Sequence, residues 1–338
     1  MRKPTKGSRT GRPLRRRSPR RPAATPRVTR PRKRDISRVR YRRARRQDML
    51  ACMRFIIATY GDLRRRRGFE PVRARPRRVP ELFMHLQRTD PKSAYCAWDG
   101  TRLVGYAAAI NRGRHWFLSE MFVHPRYQQR GIGKHLMDLV WRDGANVTHS
   151  LATFTYNMQS VGLYSRSGMA PAMLLTLMIG DTARIRCPRP TSLTRSDRLT
   201  AADRRWINAL EQRIRGFAHP TEWRHWCQNE EFQACLFSHR GRRVGYGLLS
   251  RRGELSPIGA ISPIYLDQVV REMIRLGSAG VPGWKPITKL MLACPGENRT
   301  LFHRLTQMGF RSGEIFLFMS DRLEPDFRRY LPANLAIF

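Results

Sequence analysis

Apolar and polar positions along the chain resolve into short segments that change period. Strand-like runs fall near 94–98, 102–112, 115–123, 150–156 and 170–179, with a shorter one at Val39-Arg40-Tyr41-Arg42. Helical spacing marks 48–60, 79–88, 131–143 and 158–167. In the third of these, Ile132, Leu136, Met137 and Val140 share one face, as an amphipathic helix requires. Periodicity alone therefore predicts alternating α and β elements.

The pattern occurs twice. Arg102-Leu103-Val104-Gly105-Tyr106 recurs as Arg242-Arg243-Val244-Gly245-Tyr246, and Arg112-Gly113 as Arg252-Gly253, both at an offset of 140. Asn157 and Gly168-Met169 recur as Asn298 and Gly309-Phe310 at an offset of 141. Separate segments at nearly one spacing predict two tandem copies of one fold, which accounts for a length of 338 residues.

Charge changes this picture at one end. The net charge is +40, and residues 1–47 hold 21 Lys and Arg against one acid, Asp35. So basic and Pro-rich a segment cannot bury a core, and residues 1–38 are expected to be a disordered tail. It could contact nucleic acid through phosphates, which need only charge. It could also reflect coding bias, since Arg outnumbers Lys 58 to 7 over the whole chain. No apolar run reaches the ~18 residues of a membrane span, and no secretory segment is evident, so the expected location is cytoplasmic. The six cysteines form no Cys-x-x-Cys pair, which argues against zinc and against a disulfide framework.

The chemistry-bearing segment is Gln128-Gln129-Arg130-Gly131-Ile132-Gly133-Lys134. It follows a strand-like run and opens a helix. The first helical turn offers N–H groups without intrahelical acceptors, the helix dipole adds positive potential, and glycines admit close approach of phosphate oxygens. A nucleotide or cofactor pyrophosphate is the expected ligand. His135 after Lys134 excludes a Walker loop, and Leu136 excludes the third glycine of a dinucleotide fingerprint. The spacing that fits is Gln/Arg-x-x-Gly-x-Gly/Ala, met by Gln128, Gly131 and Gly133. With Val123-His124-Pro125-Arg126-Tyr127 ahead of it, the segment resembles the acetyl-CoA loop of the GNAT superfamily of acyl-CoA N-acyltransferases. Asn157, Tyr164, Gly168 and Met169 resemble the family's second motif, Asn-x(6)-Tyr-x(3)-Gly-Phe, with Met in place of Phe.

The resemblance implies an α/β fold, a mixed sheet flanked by helices in each of two GNAT-like domains. The expected bounds are a tail at 1–38, an acetyl-CoA-binding catalytic domain at 39–181, a linker at 182–200 and a degenerate domain at 201–338. It implies acetyl transfer from acetyl-CoA to a primary amine by direct attack, with no metal and no membrane partner. Backbone of Met121, Phe122 and Val123 would pair with the pantetheine arm and supply a donor to the carbonyl oxygen. Gln128, Gln129, Arg130, Gly131, Ile132, Gly133 and Lys134 would hold the pyrophosphate, and Asn157 would bond to the pantetheine arm. Tyr164 matches the tyrosine that protonates the leaving thiolate; a core aromatic is the alternative. Glu120 stands among apolar neighbours that raise a carboxyl pKa towards a base's working range; an ion pair with a nearby Arg is its alternative. Strict alternation turns Ser119 to the opposite face from Glu120.

At these offsets Gly131 and Gly133 face Arg271 and Met273, Glu120 faces Ala260, and Tyr164 faces Leu305. The second copy is therefore expected to bind no CoA and to shape the acceptor site. The acceptor, a small molecule or a protein, stays open. Two other readings also stay open: a longer acyl group, and a non-catalytic nucleic-acid- or ribosome-binding scaffold.

Overall fold

The computed structural model describes residues 37–338 except 73, 323, 324, 334, 335 and 338. All but the last two residues of the tail expected at 1–38, and with them most of the segment expected to touch nucleic acid, lie outside the described residues. The first half contains β1 (Val39–Arg43), α1 (Met49–Arg66), α2 (Glu81–Thr89), β2 (Ala94–Asp99), β3 (Arg102–Arg112), β4 (His115–Val123), α3 (Ile132–Val140), β5 (Thr148–Phe154), α4 (Met158–Arg166) and β6 (Ala170–Asp181). The second contains β7 (Thr194–Ser196), α5 (Ala201–Arg215), α6 (Pro220–Gln228), β8 (Phe232–His239), β9 (Arg242–Ser250), β10 (Leu255–Ala260), α7 (Pro263–Ala279), β11 (Lys289–Pro295), α8 (Arg299–Gln307), β12 (Arg311–Ser320) and β13 (Tyr330–Leu331). The expected α/β class is what the chain adopts, but only the larger sheet is mixed; the pairings β13-β10-β9-β8-β7 of the smaller one are all antiparallel.

An eight-stranded sheet runs β1-β2-β3-β4-β5-β12-β6-β11, and a five-stranded one runs β13-β10-β9-β8-β7. The halves exchange their last strands. β12 lies antiparallel between β5 and β6, with Phe316 opposite Phe154 and Leu175. β6 in turn pairs along β11, from Asp181 with Lys289 to Leu175 with Pro295. Burial explains why the exchange holds. Phe316, Phe318 and Leu175 sit in one core with Ile110 and Phe117 of the first half and Trp223, Phe327 and Tyr330 of the second. The segment 182–200, read from sequence as a linker, contributes β7, which pairs with β8 through Thr194 to Ser196.

A buried charge cluster also spans the halves. Arg112 at the end of β3 bonds Asp90 at 2.8 Å and, through its Nε, Glu222 of α6 at 2.8 Å. His85 of α2 lies 3.4 Å from the same Glu222. Burial opposes the Glu222 charge, yet the Arg112 and His85 bonds hold its carboxyl far below the ordinary range. Removing one partner of such a cluster strands a buried charge, at a cost of about 3–5 kcal/mol.

Candidate active site

The site is a seam where two neighbouring strands part. β4 and β5 pair in parallel only from His115–Thr148 to Leu118–Leu151. The β3–β4 register then shifts, with Ala109 opposite Leu118 and Ala108 opposite Glu120. Ser119 is thus the extra residue of a β-bulge, a feature that bends and twists its strand. Beyond it β5 continues along β12, and residues 119–122 of β4 face no strand on their outer edge. A cavity of about 500 Å³ fills the seam. The bulge also corrects the sequence reading of Ser119. Its side chain does not turn away from Glu120; both line the cavity, and the Ser119 hydroxyl is buried without a hydrogen-bond partner.

One side of the seam is the Gly-rich turn. Tyr127 is fully buried and donates its hydroxyl proton to Asp99. Gln128 Nε2 donates to the Val123 carbonyl at 3.0 Å, and His124 bonds Arg102 at 2.7 Å. Pinned this way, the backbone turns through positive φ at Gln129 (60°) and Gly131 (86°) and enters α3. Gly131 is the N-cap of α3 and carries no side chain to cap it. The N–H groups of the first turn are left without intrahelical acceptors. A Cβ built on Gly133 would come no nearer than 3.6 Å to Leu163 and 3.7 Å to Val123, and one on Gly131 would meet nothing within 4 Å. Open space therefore lies over this turn.

Met121, Phe122, Val123, Gln128, Gln129, Gly131, Gly133, Lys134, Asn157, Tyr164 and Glu120 all line the cavity. Two of the expected residues do not. Ile132 is buried in the core beneath α3, and Arg130 lies over the Tyr127 ring, 5.7 Å from its centre. Lys134 is paired with Asp138 one turn on, at 2.7 Å on the exposed face. Asn157 sits at the N-terminus of α4 with its amide on Ser160 Oγ at 2.7 Å.

The two titratable groups are held in their neutral forms. Tyr164 is buried, which pushes its phenol up to about 12; a bond with Ser160 opposes the rise and the Glu120 charge adds to it. Burial alone pushes the Glu120 carboxyl from 4.5 to about 8. Glu120 has no ion-pair partner among the described residues, so the arginine pairing offered as its alternative is not formed.

Sequence reasoning missed the opposite wall. Thr59, Leu63 and Arg66 of α1 and Arg67 just after it line it with Phe316 of β12 and Ala336. Behind them Glu314 accepts from Tyr60 at 2.6 Å, from Tyr156 at 2.9 Å and from Arg64. No local signal marks Phe316 or Ala336, because their place depends on the strand exchange. The cavity is thus lined from one face of the sheet by the α3 and α4 termini and from the other by α1.

The second half corrects two alignments. β10 enters α7 after only Ile261 and Ser262, so the eight-residue turn at 124–131 has no counterpart. Arg271 and Met273, expected to face the glycines, lie inside α7. Val123 pairs with Gly105, and Ala260 with the matching Gly245. Ala260 therefore stands at the place of Val123, and the place of Glu120 falls at the register shift between Leu255 and Ile258. Leu305, buried on α8, does take the place of Tyr164.

Comparison with known proteins agrees with this geometry. Residues 60–169 match the family model described as acetyltransferase (GNAT) family. That stretch is thus similar to a GNAT acetyltransferase domain. The fold extends over both halves. An acetyltransferase-class protein of Pyrococcus horikoshii superposes with a TM-score of 0.65 at 15% identity, over 89% of this chain and 96% of the other. A GCN5-related N-acetyltransferase of Sphaerobacter thermophilus gives 0.60 at 17% identity, over 89% and 99%. A tandem GNAT protein from the clavulanic acid biosynthesis pathway gives 0.52 at 14% identity, over 83% and 98%. No curated protein matches the sequence significantly.

Proposed function

We propose that the chain is an N-acetyltransferase that moves the acetyl group of acetyl-CoA to a primary amine by direct attack. The observation that carries this reading is the seam itself: one cavity joins the open turn at Gly131 to Glu120 and Tyr164 and reaches the α1 wall. The residues present suit an acyl-CoA. Unpaired edge backbone at 119–122 suits the amides of a pantetheine arm. The N-terminal turn of α3 suits a pyrophosphate.

The amine must lose a proton to attack, and Glu120, neutral below pH 8 and ionised above it, accepts that proton through cavity water. Backbone N–H beside the bulge stabilises the charge that grows on the carbonyl oxygen. Tyr164, protonated across the working pH range, donates to the departing thiolate.

The test is release of free thiol from acetyl-CoA with a panel of primary amines, for the native chain and Tyr164→Phe. Turnover with at least one amine, lost in the variant while acetyl-CoA affinity is kept, supports the assignment. Equal rates remove Tyr164 from the mechanism. Turnover with longer acyl-CoA esters but not with acetyl-CoA replaces the acetyl assignment. Failure to bind any acyl-CoA sinks the enzyme reading.

A further inference from the structure

The second half has its own version of the seam, and it is filled. Glu254, just ahead of β10, forms an isolated parallel bridge with Met291 of β11. On the outer edge of β10, β13 pairs antiparallel, Ile258 with Leu331 and Gly259 with Tyr330. The Ala260 N–H extends the ladder to the Arg329 carbonyl at 3.0 Å. By the sheet registers Ile258, Gly259 and Ala260 stand where Met121, Phe122 and Val123 stand in the first half. In the first half these residues of β4 lie beyond the end of its pairing with β5.

The other side of the slot repeats the comparison. Asn298 begins α8 as Asn157 begins α4. Asn298 donates its amide to the Phe327 carbonyl. Phe327, Tyr330 and Leu331 are fully buried, and the Ser256 hydroxyl donates to the Ala333 carbonyl. Beyond this anchored stretch, Ala336 reaches the wall of the first half's cavity.

We propose that residues 326–333 are a built-in ligand: this chain's own backbone occupies, in the second half, the slot that the pantetheine arm of an acyl-CoA takes in the first. The proposal rests on the function proposed above. An extended peptide and a pantetheine arm both offer amide donors and acceptors along a line, so an edge that holds one can hold the other. The chain then binds one acyl-CoA. The disused slot becomes an anchor that carries the C-terminal arm, and Ala336 with it, to the acceptor side of the working site.

Calorimetric titration of the full chain with acetyl-CoA, coupled to amide hydrogen exchange, tests this. The expected stoichiometry is one acetyl-CoA per chain. On binding, exchange should slow by about tenfold or more at 119–123 and 131–134, while amides at 329–331 are slow beforehand and stay so. Two equivalents bound, or faster exchange at 329–331 when acetyl-CoA is added, overturns the proposal. No binding at all overturns the functional reading on which it rests. Asn298→Ala supplies an independent readout. It should speed exchange at 327–331 by about tenfold and leave acetyl-CoA affinity within about twofold of native. Unchanged exchange in the variant also overturns the proposal.

Discussion

Glu120→Gln should make the protein more stable and less active, and the stability change can be worked from the site. The folded chain keeps this carboxyl neutral up to about pH 8, whereas its ordinary value is 4.5. A folded-state value above the unfolded one means that the carboxyl's contribution to stability is fully present below pH 4.5. It is lost as pH rises through 8. At pH 7 an unfolded chain has ionised this group and the folded chain has not, which costs the fold up to about 3 kcal/mol at ~1.4 kcal/mol per pH unit. Above pH 8 the cost levels off near ~5 kcal/mol, and water in the cavity lowers both figures by screening. Gln has nearly the same shape and never ionises, so the variant escapes this loss. The roughly 300 described residues imply an unfolding entropy at which ~3 kcal/mol raises Tm by about 5 °C. Calorimetric melts of both proteins from pH 4 to pH 9 should coincide near pH 4, separate between pH 4.5 and 8, and run parallel above. A variant less stable than native at pH 7, or a gap that ignores pH, refutes the claim that burial holds Glu120 neutral. The same group sets the rate: native kcat/KM should climb with pH to a plateau near 8, and the variant should lose that limb with about 10²–10⁴ of the rate.

Other perturbations have equally definite outcomes. Gly131→Glu forces a side-chain residue to φ 86° and sets a carboxylate where the pyrophosphate is proposed to lie. Acetyl-CoA at about 100 times its native Kd should raise native stability by about 2.7 kcal/mol and the variant's not at all; a full shift in the variant would clear the turn of that role. Tyr164→Phe should lower kcat by about tenfold or more with acetyl-CoA affinity unchanged, as measured by turnover and calorimetry; a loss of affinity alone would make Tyr164 a packing residue. Glu314→Ala strands Arg64 and two phenols behind α1. It should cost about 2–4 kcal/mol in urea unfolding, and no change would mean the cluster does not hold the α1 wall.

Much of the fold was legible because period and punctuation agree. The strands read at 102–112 and 115–123 are β3 and β4 as found, and α4 starts after Asn157. The Gly-rich turn was legible because its chemistry is local. What escaped was decided elsewhere. The bulge at Ser119 breaks the alternation on which its outward side chain was predicted, and nothing in Leu118-Ser119-Glu120 announces the extra residue. The strand exchange is invisible for a related reason. β6 and β12 stand 141 residues apart with similar apolar patterns, so either could close either sheet, and only the shared core of Leu175, Phe316 and Phe318 selects the partner. Offsets read from β3 and β9 fail within the shorter β10, which misplaced Ala260, and fail further past the deleted turn, which misplaced Arg271 and Met273.

The deleted turn and the added arm belong to one physical problem. A strand that parts from its neighbour leaves amide and carbonyl groups without partners in a largely apolar setting, and each such group costs about 1–3 kcal/mol unless something bonds to it. In the first half the groups at 119–122 open onto a cavity that water or a ligand can enter, beside a helix terminus suited to anions. In the second half the anion-suited turn is gone, which removes that anchor from beside β10. Its exposed edge must then be satisfied from within. Tyr330 and Leu331 do this, adding buried apolar area as well as hydrogen bonds. A half without the turn and without such an arm would carry an open seam with nothing to fill it. Loss of the ligand site and gain of the C-terminal strand are therefore coupled requirements of stability.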